Sequence, residues 1–159
     1  MSISKSAQRV QDVLTSRGFA FEVIELPDST RTADDAAKAV GCDKRQIVKS
    51  LIFRTANTKA PVLVLASGVN RVSEKLIAQY VGEKIFKADA DFAREVTGFT
   101  IGGIPPVGHA EPMSVFIDRD LLQHDEVWAA AGTPNALFRV RGKISALVPE
   151  GRVVVVAEG

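Results

Sequence analysis

The stretches QIVKSLIF, residues 46–53, and PVLVLA, residues 61–66, decide the fold of this chain. Both are apolar at consecutive positions, whereas a strand with one face in water is apolar only at alternate positions. Consecutive apolar residues are typical of strands that are covered on both faces in the interior of a sheet. We therefore expect these two stretches to form the centre of a sheet.

Helices and further strands are predicted on either side of this centre. Capping residues and the helical spacing of apolar residues predict helices at 4–17, 32–40, 73–81 and in a short segment ending at Gly98. Strand patterns occur at 19–26, 84–87, 114–118, 137–140 and 153–156, with a small helical or turn segment at 144–147. Segment 121–131 fits a turn that leads into either a strand or a helix. Because no regular strand–helix–strand repeat is present, we expect an α/β (α+β) fold with a mixed, curled or barrel-like central sheet flanked by helices.

The composition is that of an ordinary globular protein. The 159 residues are 46% hydrophobic, which is enough for one domain over residues 1–159 with its own core. Twenty basic and 19 acidic side chains leave a net charge of +1, which disfavours a protein that coats DNA through nonspecific phosphate contacts. The single Cys42 excludes an intrachain disulfide, and we find no signal peptide or apolar stretch of about 20 residues. We therefore expect a cytoplasmic protein without a membrane role.

Lys49 interrupts an otherwise apolar strand. With a side-chain period of two, Ile47, Lys49 and Leu51 share one face of the strand, and Ser50 lies on the other. Burial of an ammonium group is costly, so Lys49 should meet a carboxylate, a row of carbonyl groups or an anionic ligand. A lysine that extends its charge towards water and has an internal partner explains the pattern as well. The functional interpretation therefore needs a second feature.

The second feature is the segment GGIPP, residues 102–106. Glycines allow a ligand to approach the backbone closely, and prolines hold a loop in one shape. Such a loop can present amide groups to an anion, although it can equally be a structural turn between two elements. Neither feature decides the function alone.

Several segments together resemble the YbaK/EbsC-like, prolyl-tRNA-synthetase-associated editing domains, a family that removes wrongly attached amino acids from tRNA. The order and spacing of these segments make the resemblance specific, and it spans nearly the whole chain. The matching segments are TADDAAKAVG (32–41), QIVKSLIF (46–53), TGFTIGGIPPVG (97–108), the strand ending in Ile117 and Asp118, and AGTPN (131–135).

The resemblance implies that Lys49, Gly102 and Pro106 shape the pocket that receives the aminoacylated 3′ end of tRNA. It also implies that the terminal hydroxyl of the tRNA helps to activate water, and no cofactor is expected. Two histidines and one cysteine cannot supply a convincing zinc site or a nucleophile–base set, so no metal is expected. Backbone amides near Gly102 and Gly103, or near Gly132, would stabilise the oxyanion of ester hydrolysis. The candidate substrate-binding residues are Ser50, Ile104, Pro105, Pro106, His109, Asp118, Gly132 and Thr133.

Two departures from the family pattern leave the substrate open. Gly103 stands where some relatives have a hydroxyl residue, and Ser50 follows the lysine in place of the residue found in other subfamilies. Alanyl, cysteinyl, seryl and threonyl esters all remain candidates, for example on tRNA-Pro. His109 is either a ligand contact or an exposed loop histidine, and Asp118 either orients a pocket group or begins a turn.

The predicted function is a trans-acting aminoacyl-tRNA deacylase, a hydrolase whose partner is a mischarged tRNA. A noncatalytic tRNA- or synthetase-binding module of the same fold is the alternative, and a pocket for a small molecule or nucleotide is a third. A synthetase is a second candidate partner. Basic groups that either contact the acceptor stem or simply face water are Lys44, Arg45, Arg139, Arg141 and Lys143.

Overall fold

The structure is a computed structural model that describes residues 3–158. The helices of this part of the chain are α1 (Lys5–Ser16), α2 (Ala33–Val40), α3 (Glu74–Val81), α4 (Ala90–Thr97) and the short α5 (Ile144–Leu147). The strands are β1 (Val23–Glu25), β2 (Ile47–Thr55), β3 (Pro61–Ser67), β4 (Ile85–Lys87), β5 (Ser114–Asp118), β6 (Glu126–Ala130), β7 (Ala136–Arg141) and β8 (Arg152–Val154). The predicted mixed α/β fold is confirmed.

The strands form one mixed sheet with β2 and β3 in its interior. Its order is β1-β7-β6-β2-β3-β5-β8, and β4 also pairs with β2. The β2–β3 pairing is antiparallel and extends from Val48 opposite Ser67 to Arg54 opposite Pro61. The pairings of β2 with β6, of β3 with β5 and of β5 with β8 are parallel. The two apolar stretches are therefore the central strands, as the sequence predicts.

The edge of β2 that faces away from β3 is shared between two strands. Near its start, β6 pairs with Ile47 and Val48, and near its end β4 pairs with residues 53–55. Between these two ladders, residues 49–52 have no strand on this edge within the described part of the chain. The sheet consequently has a gap beside Lys49.

Helix α2 packs over the sheet next to this gap. Its first turn is capped by Thr32, whose Oγ1 accepts a hydrogen bond from the Asp35 amide at 3.1 Å, and it ends at Gly41 in the left-handed conformation (φ 70°). Ala36 and Ala37 of α2 are buried in one apolar cluster with Ile47 and Leu137. Small side chains bring the helix close to the sheet, so the segment that precedes α2 lies at the gap.

Segment 19–26 is shorter as a strand than its alternating pattern predicts. Only Val23–Glu25 pairs, with β7. Phe19 and Phe21 precede the ladder; their rings stack with centroids 5.0 Å apart, and Phe21 also stacks on Phe138 at 6.5 Å. Aromatic stacking, rather than strand pairing, explains the alternation of apolar residues there.

Segment 121–131, which the sequence left open, divides into two elements. A 3-10 helix at Arg119–Gln123 leads into β6. The C-terminal strand begins one residue earlier than predicted and pairs only with β5. Across residues 3–158 the longest helix has 12 residues, and none is long and apolar enough to cross a membrane.

Candidate active site

A cavity of about 450 Å³ opens at the gap in the sheet. We call it the Lys49 cavity. Cavities of comparable volume lie elsewhere on the surface, but this one brings the lysine of β2 together with the glycine-rich loop. Its walls are formed by Thr30, Arg31, Thr32, Ala33, Asp34, Ala36, Lys44, Ile47, Val48, Lys49, Ser50, Leu51, Gly68, Ile101, Gly102, Ile104, Ala130 and Leu137.

The Lys49 cavity reaches both faces of the sheet because it lies at the open edge of β2. Ile47 packs with α2 and Leu137 on one face, and strand alternation places Lys49 on that same face. Val48 and Ile52 pack with Ile104 in the main core on the other face, which is the face of Ser50. We call the part of the cavity on the face of Lys49 the lysine side, and the part on the face of Ser50 and Ile104 the loop side.

Lys49 is half-buried, and a carbonyl group is its partner. Its Nζ donates a hydrogen bond to the carbonyl oxygen of Asn70 at 2.5 Å, its one hydrogen bond within residues 3–158. Burial lowers the pKa of Lys49, and repulsion by Lys44 lowers it further, whereas the negative charge of Asp118 partly restores it. An ammonium group has three donors, so further N–H directions remain for a ligand.

Asp118 holds the segment that supplies this carbonyl. The side chain is 1% exposed, and its Oδ2 accepts hydrogen bonds from the Ser67 amide at 3.0 Å and from Asn70 Nδ2 at 2.8 Å. Its Oδ1 accepts from the Asp120 amide at 2.9 Å, which caps the following 3-10 helix. Asp118 therefore begins a turn and holds Asn70, whose carbonyl group accepts from Lys49; a role of Asp118 towards the substrate stays a prediction.

The glycine-rich loop is fixed by hydrogen bonds of its own backbone. The Gly103 amide donates to the Thr100 carbonyl at 3.0 Å, and the Gly103 carbonyl accepts from the Gly132 amide at 2.8 Å. These two amides are engaged and do not line the cavity. Gly102 does line it, with a φ of 97° that favours glycine. The Gly102 amide is thus the candidate oxyanion donor among the three glycines.

Comparison with known proteins decides the family. The family model described as the aminoacyl-tRNA editing domain matches residues 27–146. This range is most of the chain and includes every segment that lines the Lys49 cavity. The chain belongs to the aminoacyl-tRNA editing domain family.

Relatives of this editing domain include isolated proteins and parts of synthetases. A solved structure of a protein proposed as a trans-editing enzyme for prolyl-tRNA synthetase superposes with a TM-score of 0.91 at 46% identity, over 99% of this chain and 100% of that chain. The uncharacterized protein YwhH of Bacillus subtilis (strain 168) is 30% identical over 122 residues, 77% of each chain. A proline–tRNA ligase of Limosilactobacillus fermentum is 31% identical over 94 residues, which are 57% of this chain but 16% of the ligase.

Other predicted residues of the editing domain lie outside the Lys49 cavity. Pro105 and Pro106 are buried in the loop and do not line the cavity. Thr133 is 3.5 Å from Glu25 through its Oγ1 and packs its backbone against Gly103. These residues support the loop without lining the cavity, and their predicted contact with the substrate stays a prediction.

His109 lines a different cavity, of about 540 Å³, with Arg17 and Glu150. Its Nε2 lies 2.7 Å from the Pro105 carbonyl oxygen, and burial lowers the pKa of the imidazole. A neutral imidazole that donates from Nε2 satisfies this contact. This position, in a different cavity, does not support a contact between His109 and the ligand. It does not support an exposed loop histidine either, because the ring is largely enclosed.

Two residues were missed by the sequence analysis, namely Arg31, which lines the cavity, and Asn70, which holds Lys49 from outside it. Asn70 contributes through its carbonyl group, which no side-chain pattern indicates. Arg31 precedes the cap of α2, and its Cγ would lie 2.9 Å from a Cβ added at Gly102, so its side chain packs over the loop. Arg31, Lys44 and Lys49 are the cationic residues that line the cavity, and Lys44 pairs with Asp34 at 3.2 Å.

Replacement of Gly103 with alanine tests the contact between the two loops. The added Cβ would lie 2.8 Å from three backbone atoms of Thr133, so the loops would have to separate. We expect urea denaturation to show a loss of about 2–3 kcal/mol in the free energy of unfolding. Gly41→Ala is the control, because its Cβ meets nothing within 4 Å and only the φ of 70° adds strain, about 1 kcal/mol. Equal losses in both variants would contradict a close approach at Gly103.

Proposed function

We propose that this editing domain is a trans-acting aminoacyl-tRNA deacylase, which hydrolyses the ester bond between an amino acid and the 3′ end of a mischarged tRNA. The observation that carries the proposal is the placement of the half-buried Lys49, at a gap in the sheet, in the same cavity as Gly102. The overall similarity to a protein proposed as a trans-editing enzyme supports action in trans.

The charges of the cavity suit the end of a tRNA. Arg31, Lys44 and Lys49 line it, whereas Asp34 is the one carboxylate among its lining residues and pairs with Lys44. Cationic side chains bind phosphate through charge-assisted hydrogen bonds, and an arginine does so with two parallel donors. In the proposed complex, Lys49 holds the terminal phosphate or ribose on the lysine side, while the aminoacyl group enters the loop side.

The chemistry is the addition of water to the ester carbonyl. The carbonyl oxygen becomes an oxyanion, which the Gly102 amide stabilises, and the C–O bond to the ribose then breaks. One proton of the water passes to the ribose oxygen, which leaves as a hydroxyl group, and the other is released to solvent, so that the amino acid leaves as its carboxylate. Neither histidine lines the cavity. This arrangement agrees with activation of water by the terminal hydroxyl of the tRNA, which the family resemblance implies.

Errors of a synthetase explain the need for such an enzyme. A synthetase pocket distinguishes one methylene by only about 1–3 kcal/mol, so smaller amino acids are attached by mistake. Similarity to proline–tRNA ligases supports tRNA-Pro carrying a small amino acid as the substrate, with the reaction taking place in the cytoplasm. A synthetase is the corresponding second partner.

The test is the release of labelled amino acid from a panel of charged tRNAs. tRNA-Pro carrying alanine, serine, threonine, cysteine or proline is incubated with the wild type and with Lys75→Ala, a control for an exposed lysine of α3 outside the cavity. We expect both proteins to release at least one small amino acid and to spare prolyl-tRNA. Binding of tRNA or of a synthetase without any release would replace the enzyme with a noncatalytic binding module.

A further inference from the structure

The side chain of Ser50 is a polar group without a partner at the wall of the Lys49 cavity. Its Oγ is buried and makes no hydrogen bond within residues 3–158. Burial of a hydroxyl group without a hydrogen bond is unfavourable, and most buried polar atoms in proteins have a partner. Ser50 lines the cavity, so a bound ligand can supply the missing partner.

Ser50 lies where the aminoacyl group would enter. Alternation along β2 places its side chain on the loop side of the sheet, with Val48 and Ile52, whose cluster includes Ile104. The Ile52 carbonyl accepts from the Ala88 amide on the edge away from β3, so the backbone of Ser50 points to that edge as well. Ser50 therefore lies at the gap itself, between the glycine-rich loop and the lysine side.

We propose that Ser50 recognises the side chain of the aminoacyl group and that the preferred substrate carries a hydroxyl group on its β carbon, as seryl and threonyl esters do. This inference rests on the proposed function and names its substrate class. The Ser50 hydroxyl exchanges a hydrogen bond with the substrate hydroxyl, and the apolar neighbour Ile104 limits the size of the side chain.

The charges of the cavity favour a neutral group of the substrate, rather than its α-ammonium group, as the hydrogen-bond partner of Ser50. The α-ammonium of the ester is positively charged, and the cavity already contains Arg31, Lys44 and Lys49. Its one lining carboxylate, Asp34, is paired with Lys44. An additional ammonium group buried on the loop side would lack a counter-charge, which is costly. A neutral β-hydroxyl satisfies Ser50 without this cost.

The experiment compares Ser50→Ala with the wild type on seryl-, threonyl- and alanyl-tRNA. We expect the ratio of kcat/KM for the seryl over the alanyl ester to fall about tenfold in Ser50→Ala, as the loss of one hydrogen bond implies. An equal loss for all three esters would assign Ser50 to the common amino group and overturn the proposal, and so would unchanged rates.

A binding measurement separates this inference from the proposed function. The probes are 3′-amide analogues of seryl- and alanyl-adenosine, which cannot be hydrolysed, titrated into both proteins by calorimetry. If the wild type releases no amino acid, the proposed deacylase fails, yet tighter binding of the seryl analogue that Ser50→Ala abolishes would still support the role of Ser50. Equal affinity for the two analogues, or no binding of either, would overturn it.

The unfolding temperature is a second measurement, and it distinguishes recognition of the substrate by Ser50 from a structural role of its side chain. Because the Ser50 hydroxyl has no partner among residues 3–158, Ser50→Ala should unfold at the same or a higher temperature than the wild type. Ser67→Ala is the matched control, since the buried Ser67 donates from its Oγ to the Arg45 carbonyl at 2.8 Å. It should unfold at a lower temperature with an unchanged seryl-to-alanyl ratio. A lower unfolding temperature for Ser50→Ala would argue that the protein itself uses the hydroxyl group.

Discussion

Replacement of Lys49 with alanine should lower kcat/KM for the hydrolysed aminoacyl-tRNA about tenfold to a hundredfold, because a hydrogen bond from a charged group to the bound phosphate or ribose is worth about 1.5–3 kcal/mol. Lys49 is held by the Asn70 carbonyl at 2.5 Å, so its remaining donors are already directed before the substrate binds. A side chain that is already held in place loses less conformational entropy when the substrate binds. Initial rates of amino acid release, measured at matched folded concentrations, give the comparison.

The Lys49→Arg variant and the pH profile separate the effect of the charge at position 49 on the rate from the effect of the side-chain shape. Burial and the neighbouring Lys44 lower the pKa of Lys49, so its positive charge is lost as the pH rises through a value below the usual lysine range. The wild-type rate, corrected for spontaneous ester hydrolysis, should fall at that pH. Any activity that Lys49→Arg retains should continue to higher pH, because a guanidinium group stays charged. A Lys49→Ala variant with wild-type activity would remove Lys49 from the mechanism.

Local chemistry explains why most elements were predictable. The N-caps of α2 and α3 are a threonine and a serine whose hydroxyl groups accept backbone hydrogen bonds, and the last turns end at Gly41 and Gly82 in the left-handed conformation. These signals act over a few residues and are visible in the sequence. The division of segment 121–131 was not predictable, because its strand pairs not only with the neighbouring β7 but also with β2, which lies far earlier in the chain.

The site was predictable where a side chain breaks a pattern. Lys49 interrupts an apolar strand, and the structure places it in a cavity with Gly102. Asn70 was invisible because it acts through its backbone, and its position depends on contacts with Asp118, 48 residues away. His109 shows a limit of sequence proximity: its ring contacts the loop through the Pro105 carbonyl but lines a different cavity, with Arg17 and Glu150.

Replacement of Asp118 with alanine should produce the largest loss of stability among these variants. Three hydrogen bonds end on this buried carboxylate, from the amides of Ser67 and Asp120 and from the side chain of Asn70. Their removal leaves buried donors without partners, so we expect a loss of about 3 kcal/mol in the free energy of unfolding. For a domain of this size, that lowers Tm by about 6–12 °C. Differential scanning calorimetry and urea denaturation measure both quantities.

Asp120→Ala is the control for Asp118, because within residues 3–158 the Asp120 side chain accepts one hydrogen bond, from Asn70 at 2.8 Å, and lies in a less buried position. We expect Asp120→Ala to lower the free energy of unfolding by about 1 kcal/mol.

The isosteric Asp118→Asn variant tests whether Asp118 also positions Lys49. Removal of the negative charge withdraws the attraction that raises the pKa of Lys49, so the alkaline fall in rate should move to lower pH than in the wild type. A destabilised variant with the wild-type pH profile would limit Asp118 to a structural role. A shifted profile would show that a carboxylate outside the cavity sets the charge of the lysine within it.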